Sequence, residues 1–203
     1  MKLYYTPTSP FVRKVLVVAH ETGLQDRLET TLLRPTPTKA DPTLSRDNPL
    51  SKIPALITED AGALYDSAVI CEYLDSLHQG RKLLPAPGPA RWHALRRQAL
   101  SDGILEAAIQ MFYEKTMRPE ALHWAAWIDG QAEKARQSLD ALEKEAAAFG
   151  PDADLGQICV GVTLGWLEFR NVLGNIRGGR PTLFAWYERF LTRPSMQATL
   201  PHT

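Results

Sequence analysis

Only two cysteines, Cys71 and Cys159, occur among the 203 residues of the chain. Both sit in apolar stretches of helical spacing, so they read as buried core thiols rather than as a disulfide scaffold. No apolar run approaches the roughly 20 residues that a membrane-crossing helix needs, and no membrane partner is expected. The first residues, Met1 to Pro7, carry no long apolar segment followed by a cleavage site, so no secretory signal is expected either. The five histidines (20, 78, 93, 123 and 202) have no ligand spacing with one another or with cysteine, which predicts no metal site. An excess of one charge is also missing. Lys+Arg and Asp+Glu both number 23, for a formal net charge of zero, and no nucleic-acid surface is advertised. These absences together point to a cytoplasmic protein. What is present, 44% hydrophobic and 23% charged residues, is enough for a folded core in one large domain or two small ones.

The pattern changes once along the chain. Residues 2 to 5 are apolar and aromatic and read as a strand. Thr6 to Ser9 form a turn. Val12, Val15, Leu16 and Ala19 then recur at helical spacing, predicting a helix from about Pro10 to Thr22 that stops at Gly23. Pro10 suits the first helical position and Ser9 the N-cap. Leu28 to Leu33 follows as a strand, completing a βαβ unit. Four prolines between 34 and 51 mark an irregular segment with room for one short helix. Ala55 to Thr58 and Ala63 to Tyr65 make a hairpin around Asp60-Ala61-Gly62. Asp66 or Ser67 caps the next helix, whose Val69, Ile70, Tyr73, Leu74 and Leu77 form one apolar face.

That order, βαβ then ββα, is the order of an α/β thioredoxin-like domain over 1–78. Gly80, Pro85, Pro87, Gly88 and Pro89 mark 79–89 as a linker. Residues 90–203 are helical throughout and predict an all-α helical-bundle domain. Its first helix, Ala90 to Met117, would be about 40 Å long if unbroken. The next runs from Glu120 to Phe149, with Gly130 as a weak point, and a third from Asp154 to Gly174. Asp154 and Gln157 have capping-box spacing. Gly161 and Gly165 lie on one face, where a neighbouring helix can come close. A fourth helix covers Pro181 to Leu191.

Three short motifs carry the chemistry: Thr8-Ser9-Pro10-Phe11-Val12-Arg13, Asn48-Pro49-Leu50-Ser51-Lys52-Ile53-Pro54-Ala55-Leu56, and Asp66-Ser67-Ala68-Val69-Ile70. Each puts polar groups or bare backbone at a helix start or beside a strand. Ser9 fits two readings. One is a helix cap. The other is a hydroxyl that, with the helix N-terminus, receives an anion. Arg13 and Lys14 either add positive charge there or form a solvated face. A ligand thiol suits such a site. Lowering its pKa from ~8.5 by about two units needs ~2.7 kcal/mol, roughly what one hydroxyl donor and a helix N-terminus supply. No G-x-S-x-G elbow surrounds Ser9 and no histidine is tied to it, so a hydrolase nucleophile is rejected. Ile53-Pro54 reads as a strand-start proline or as a cis bond in a tight turn. Asp66-Ser67 reads as a cap, as a carboxylate and ammonium holder, or as both. Lys52, Lys39 and Arg46 are alternative partners for a second carboxylate.

In this order and at these separations, the motifs resemble the glutathione transferase pattern of the bacterial, serine-type branch. The likeness extends through the linker, Gly161-Val162-Thr163-Leu164-Gly165-Trp166-Leu167 and Trp186-Tyr187-Glu188-Arg189-Phe190, and so covers essentially the whole chain. The resemblance implies a glutathione S-transferase that stabilises the thiolate of its co-substrate glutathione, without a metal, for attack on a small hydrophobic electrophile in detoxification. It implies that Ser9 is the catalytic hydroxyl and that Ile53 pairs with the cysteinyl backbone beside a cis Pro54. Asp66 and Ser67 would hold the γ-glutamyl end, with Lys52 and Phe11 also at the glutathione site. It further implies a homodimer, and an Asp102 that in some members reaches the partner's glutathione. Asp102, Ile109 and Tyr113 fall on one helical face, and with Pro10 and Phe11 they are expected to line the second-substrate pocket. Core packing is the alternative for Ile109. One departure from the pattern is Gln157, where many members carry Asp; here Asp154 is expected to take the capping role. Where reductase-like members carry cysteine this chain has Ser9, which cannot form a mixed disulfide. Alternative readings are a non-catalytic glutathione-binding or protein-interaction member of the same fold, and a glutathione-dependent isomerase or reductase.

Overall fold

A computed structural model describes residues 1–202. The chain divides into two units. One comprises Met1–Ala86 together with the residues from Pro194 onward, and the other Pro87–Arg193.

The first unit begins β1 (Lys2–Tyr5), α1 (Pro10–Glu21), β2 (Glu29–Leu32), as the βαβ pattern predicts. A short helix, α2 (Pro42–Asp47), interrupts the proline-rich segment, and β3 (Ala55–Ile57), β4 (Ala63–Leu64) and α3 (Ser67–Ser76) follow. The four strands lie in the order β2-β1-β3-β4, with β1 parallel to β2 and antiparallel to β3. Leu3, Val15, Leu56, Ile70 and Leu74 are fully buried between sheet and helices. Tyr4 packs with Leu44 and Ala55, and its hydroxyl donates to Asp47 Oδ2 at 2.7 Å, tying α2 to β1. On α3, Ile70, Cys71 and Leu74 form the buried face. Val69, expected inside, is 47% exposed, because the helix starts at Ser67 and presents Ile70 and Leu74 to α1 and the sheet.

After α3 the chain is folded back by Asp75. Its buried carboxylate accepts the amides of Leu83 at 2.8 Å and Leu84 at 3.1 Å, and bonds His78 Nε2 at 2.9 Å. The C-terminal residues were expected within a helical domain of 90–203. Instead α8 (Pro194–Ala198) packs on α1, where Arg13 Nη2 donates to the Met196 carbonyl at 3.2 Å and Ser195 Oγ bonds Glu21.

The second unit is helical: α4 (Pro89–Met117), α5 (Ala125–Ala146), α6 (Leu155–Arg170) and α7 (Pro181–Leu191). Every residue of α6 from Leu155 to Leu167 is buried, as befits a helix surrounded by others. Asp154 Oδ1 accepts the Gln157 amide at 2.7 Å and Gln157 Oε1 accepts the Asp154 amide at 3.0 Å, so the expected capping box is present. A close α4–α6 approach occurs at Gly156, where an added Cβ would lie 2.7 Å from the Ala94 carbonyl oxygen. The single helix expected over 120–149 is a 3-10 turn, Glu120–Leu122, followed by α5 from Ala125. The buried Glu114 carboxylate explains the break: it accepts Arg118 Nε at 2.7 Å and the Trp124 amide at 3.1 Å, holding the connection in a bend. No helix of the described residues is long and apolar enough to cross a membrane.

Candidate functional site

Strand register brings the three motifs of the first unit together. Tyr4 pairs with Ala55 across β1 and β3, so Pro54 lies one step further along, level with Tyr5. Leu56 pairs with Leu64 across β3 and β4, so the chain reaching Asp66 leaves at the same end of the sheet. The turn after β1, the approach to β3 and the exit from β4 therefore share one sheet edge. Ser9, Ile53-Pro54 and Asp66-Ser67 stand there.

Ser9 is the N-cap of α1, with extended backbone at φ −82°, ψ 123°, and Pro10 takes the first helical position. Ser9 Oγ accepts the Val12 amide at 3.3 Å. An oxygen that accepts keeps its own hydrogen, and no acceptor for that hydrogen stands among the described residues. Ser9 and Phe11 are half-buried and Pro10 is buried. Arg13 and Lys14 are neither solvated nor open to a ligand. They are 3% and 1% exposed; Arg13 reaches the Met196 carbonyl, and Lys14 Nζ lies 5.6 Å from the Phe11 ring centroid. The positive end of α1 at this edge is its amide hydrogens rather than these side chains.

The Ile53–Pro54 bond is cis, as the resemblance implies. Ile53 lies outside the β1–β3 ladder, and no backbone hydrogen bond engages its N–H or C=O among the described residues. Asn48, 1% exposed, holds this loop. Its Oδ1 accepts the Leu50 amide at 3.0 Å and its Nδ2 donates to the Lys52 carbonyl at 2.8 Å. Ser51, with φ 51°, makes the sharp turn between them. The role of Asn48 was absent from the sequence-based expectations, although Asn before Pro is itself a turn signal. Lys52 is exposed. Asp66 caps α3 by accepting the Ala68 amide at 2.9 Å, and Ser67, the first helical residue, is 3% exposed.

Asp102, Ile109 and Tyr113 belong to the second unit, each half-buried on α4, whose core face is Ile104, Leu105, Ala108 and Met111. Burial pushes the Tyr113 hydroxyl pKa up, and the nearby charge of Arg170 works against that shift. The Arg170 guanidinium is flanked by the rings of Phe112 and Phe169, both 4.8 Å away. Among the described residues no group of three or more His, Cys, Asp or Glu gathers as a metal site would require.

The family model for the glutathione S-transferase N-terminal domain matches residues 8–77, and that for its C-terminal domain matches 125–189. An uncharacterized GST-like protein of Escherichia coli K12, YibF, is 31% identical over 204 residues, covering 99% of this chain and 98% of that protein. The chain belongs to the glutathione S-transferase family. Among solved structures, a glutathione transferase family member from Pseudomonas fluorescens Pf-5 with bound glutathione is 43% identical with a TM-score of 0.96. The match covers 100% of this chain and 99% of that one. A second structure, of a glutathione transferase family member from the same organism, has bound S-(propanoic acid)-glutathione; it is 41% identical over 100% of both chains, with a TM-score of 0.92. The two domains matched by the glutathione S-transferase models fall in different units of the chain: the stretch from α1 to α3 with strands β2 to β4, and the stretch from α5 into α7.

Proposed function

We propose that the chain binds glutathione at the shared sheet edge of the first unit and stabilises its thiolate for attack on a small hydrophobic electrophile. The observation that carries this reading is Ser9. Its oxygen takes an α1 amide, which leaves the hydroxyl hydrogen for a sulfur anion at the positive end of the helix. The Ile53 backbone, outside the sheet ladder next to cis Pro54, pairs with the cysteinyl backbone like an added strand. The γ-glutamyl carboxylate goes to Ser67 and the start of α3, with Asp66 beside the ammonium. Lys52 lies near the glycyl carboxylate, and Phe11 borders the site. Bound glutathione in the Pseudomonas relative, and a glutathione substituted on sulfur in the second Pseudomonas structure, support a site of this kind.

The reaction needs no covalent step on the protein. The thiol proton passes to solvent and sulfur forms a bond to carbon. The electrophile then either expels a leaving group with its electron pair or takes up the pair and a proton from water. Pro10, Asp102, Ile109 and Tyr113 are proposed contacts of the second substrate. The same reading carries a cytoplasmic homodimer acting in detoxification, so sedimentation at micromolar concentration is expected to give twice the chain mass; a monomer would contradict it.

The test is glutathione-affinity chromatography with an ultraviolet thiolate titration of wild type and Ser9→Ala. Retention is expected, with the pKa of bound glutathione about one unit or more higher in Ser9→Ala, the equivalent of one lost hydrogen bond to an anion. An unchanged titration removes Ser9 from the mechanism. Retention without thiolate at neutral pH favours a non-catalytic binder, and failure to be retained favours a protein-interaction scaffold.

A further inference from the structure

Several arginines of the helical unit are held by carboxylates, and Arg170 is held in another way. Arg97 pairs with Glu145 and Asp154, Arg118 with Glu114, Arg177 with Glu168 and Glu188, and Arg180 with Asp140. The nearest acid in sequence, Glu168, is thus engaged by Arg177. Arg170 is held instead by rings, its guanidinium carbon 4.8 Å from the centroids of both Phe112 on α4 and Phe169 on α6. Its Nε is buried, with no hydrogen-bond acceptor among the described residues. Buried donors are normally satisfied, so this Nε–H lacks an acceptor that its setting calls for. Tyr113 adjoins the clamp, with its ring 5.9 Å from that of Phe112. Its raised pKa keeps the hydroxyl neutral and able to donate, and the charge of Arg170 is felt there.

We propose that Arg170, braced by Phe112 and Phe169 beside Tyr113, is a carboxylate-binding residue that selects acid-bearing electrophiles as second substrates. The proposal rests on the transferase reading for the word substrate, and on the clamp alone for the binding. A guanidinium is weakly hydrated and matches a carboxylate with two parallel donors. Packing against two rings restricts the side chain before any anion arrives, so less freedom is lost on binding than for a solvated arginine. The Phe112 ring also offers an apolar face to an aromatic or unsaturated body attached to the carboxylate.

The test compares binding of 4-chloro-3-nitrobenzoate and its neutral isostere 4-chloro-3-nitrobenzamide to the full-length protein, by calorimetry without glutathione, so that the outcome stands apart from turnover. Wild type is expected to prefer the benzoate by roughly tenfold or more, the scale of one charge-assisted pair. Arg170→Gln is expected to bring that ratio to about one, and Arg170→Lys, which keeps charge but not the planar fork, to leave a small remainder. Should Arg170→Gln fail to fold, the wild-type ratio and Arg170→Lys decide. Equal binding of the two probes by wild type overturns the proposal, as does a preference that survives undiminished in either variant. Glutathione affinity is measured in parallel. If Arg170→Gln weakens glutathione while the benzoate preference persists, the anion bound is glutathione's own carboxylate and the proposal also fails. If wild type binds the benzoate preferentially but not glutathione, the transferase reading fails while the carboxylate site stands.

Discussion

Ser9 Oγ accepts the Val12 amide at 3.3 Å, so replacing Ser9 by alanine removes a helix cap along with the proposed thiolate donor. Loss of such a cap costs about 1 kcal/mol, which for a chain of this size lowers Tm by roughly 2–4 °C. Thermal unfolding of Ser9→Ala is expected to show that small drop, with unchanged circular dichroism at 25 °C; loss of the fold would mean that Ser9 holds more of the structure than its hydrogen bond accounts for. Gly156→Ala probes packing. Its new Cβ would meet backbone, at 2.7 Å from the Ala94 oxygen and 3.0 Å from the Ala94 Cα, which cannot swing aside. A loss of about 1–3 kcal/mol in denaturant unfolding is expected, as for an overpacked core; a neutral result would show that α4 and α6 separate freely. Caps at Ser9, Asp66 and Asp154 were legible in the sequence because donor and acceptor lie within three residues of each other. The fates of Arg13 and Lys14 were not. Arg13 finds its acceptor at Met196, far along the chain, and a basic residue beside a helix start looks the same in sequence whether it is buried or solvated.

Helix α7 starts at Pro181 with no side-chain cap of its own. Glu143 on α5 supplies one from a distance, its carboxylate accepting the amides of Leu183 at 2.7 Å and Thr182 at 3.1 Å. Burial pushes the Glu143 carboxyl pKa up, but these amides outweigh burial and hold it below the ordinary glutamate range. A depressed folded pKa means that this stabilisation is complete above the unfolded value and is lost as pH falls through the folded one. Glu143→Gln is therefore expected to lower stability at neutral pH by about 1 kcal/mol, as for a lost cap, and to flatten the acid limb of the Tm–pH curve. Parallel curves for variant and wild type would contradict the assignment. Asp75 does similar work after α3. Asp75→Ala leaves the buried Leu83 and Leu84 amides without an acceptor and is expected to cost about 2–4 kcal/mol in unfolding experiments. At this scale, periodicity located α1, α4, α6 and α7. It ran α5 too far toward its N-terminus, because the bend there is held by Glu114 from another helix. It placed Val69 inside because apolar spacing alone does not fix which way a short helix is turned.

For the molecule as a whole, element order was readable, and the βαβ unit with parallel β1 and β2 followed from it. The strand order β2-β1-β3-β4, and the register that aligns Pro54 with the end of β1, depend on long-range pairing that no local pattern encodes. The return of the chain to the first unit at Pro194 was hidden for the same reason. That register turns three separated motifs into one edge, and it is where Ser9 is proposed to meet sulfur. The most direct measurement is an ultraviolet pH titration of glutathione bound to the wild-type protein. A thiolate forming about two pH units below the free thiol value of ~8.5 is expected; a bound thiol that ionises at the free value would contradict the account.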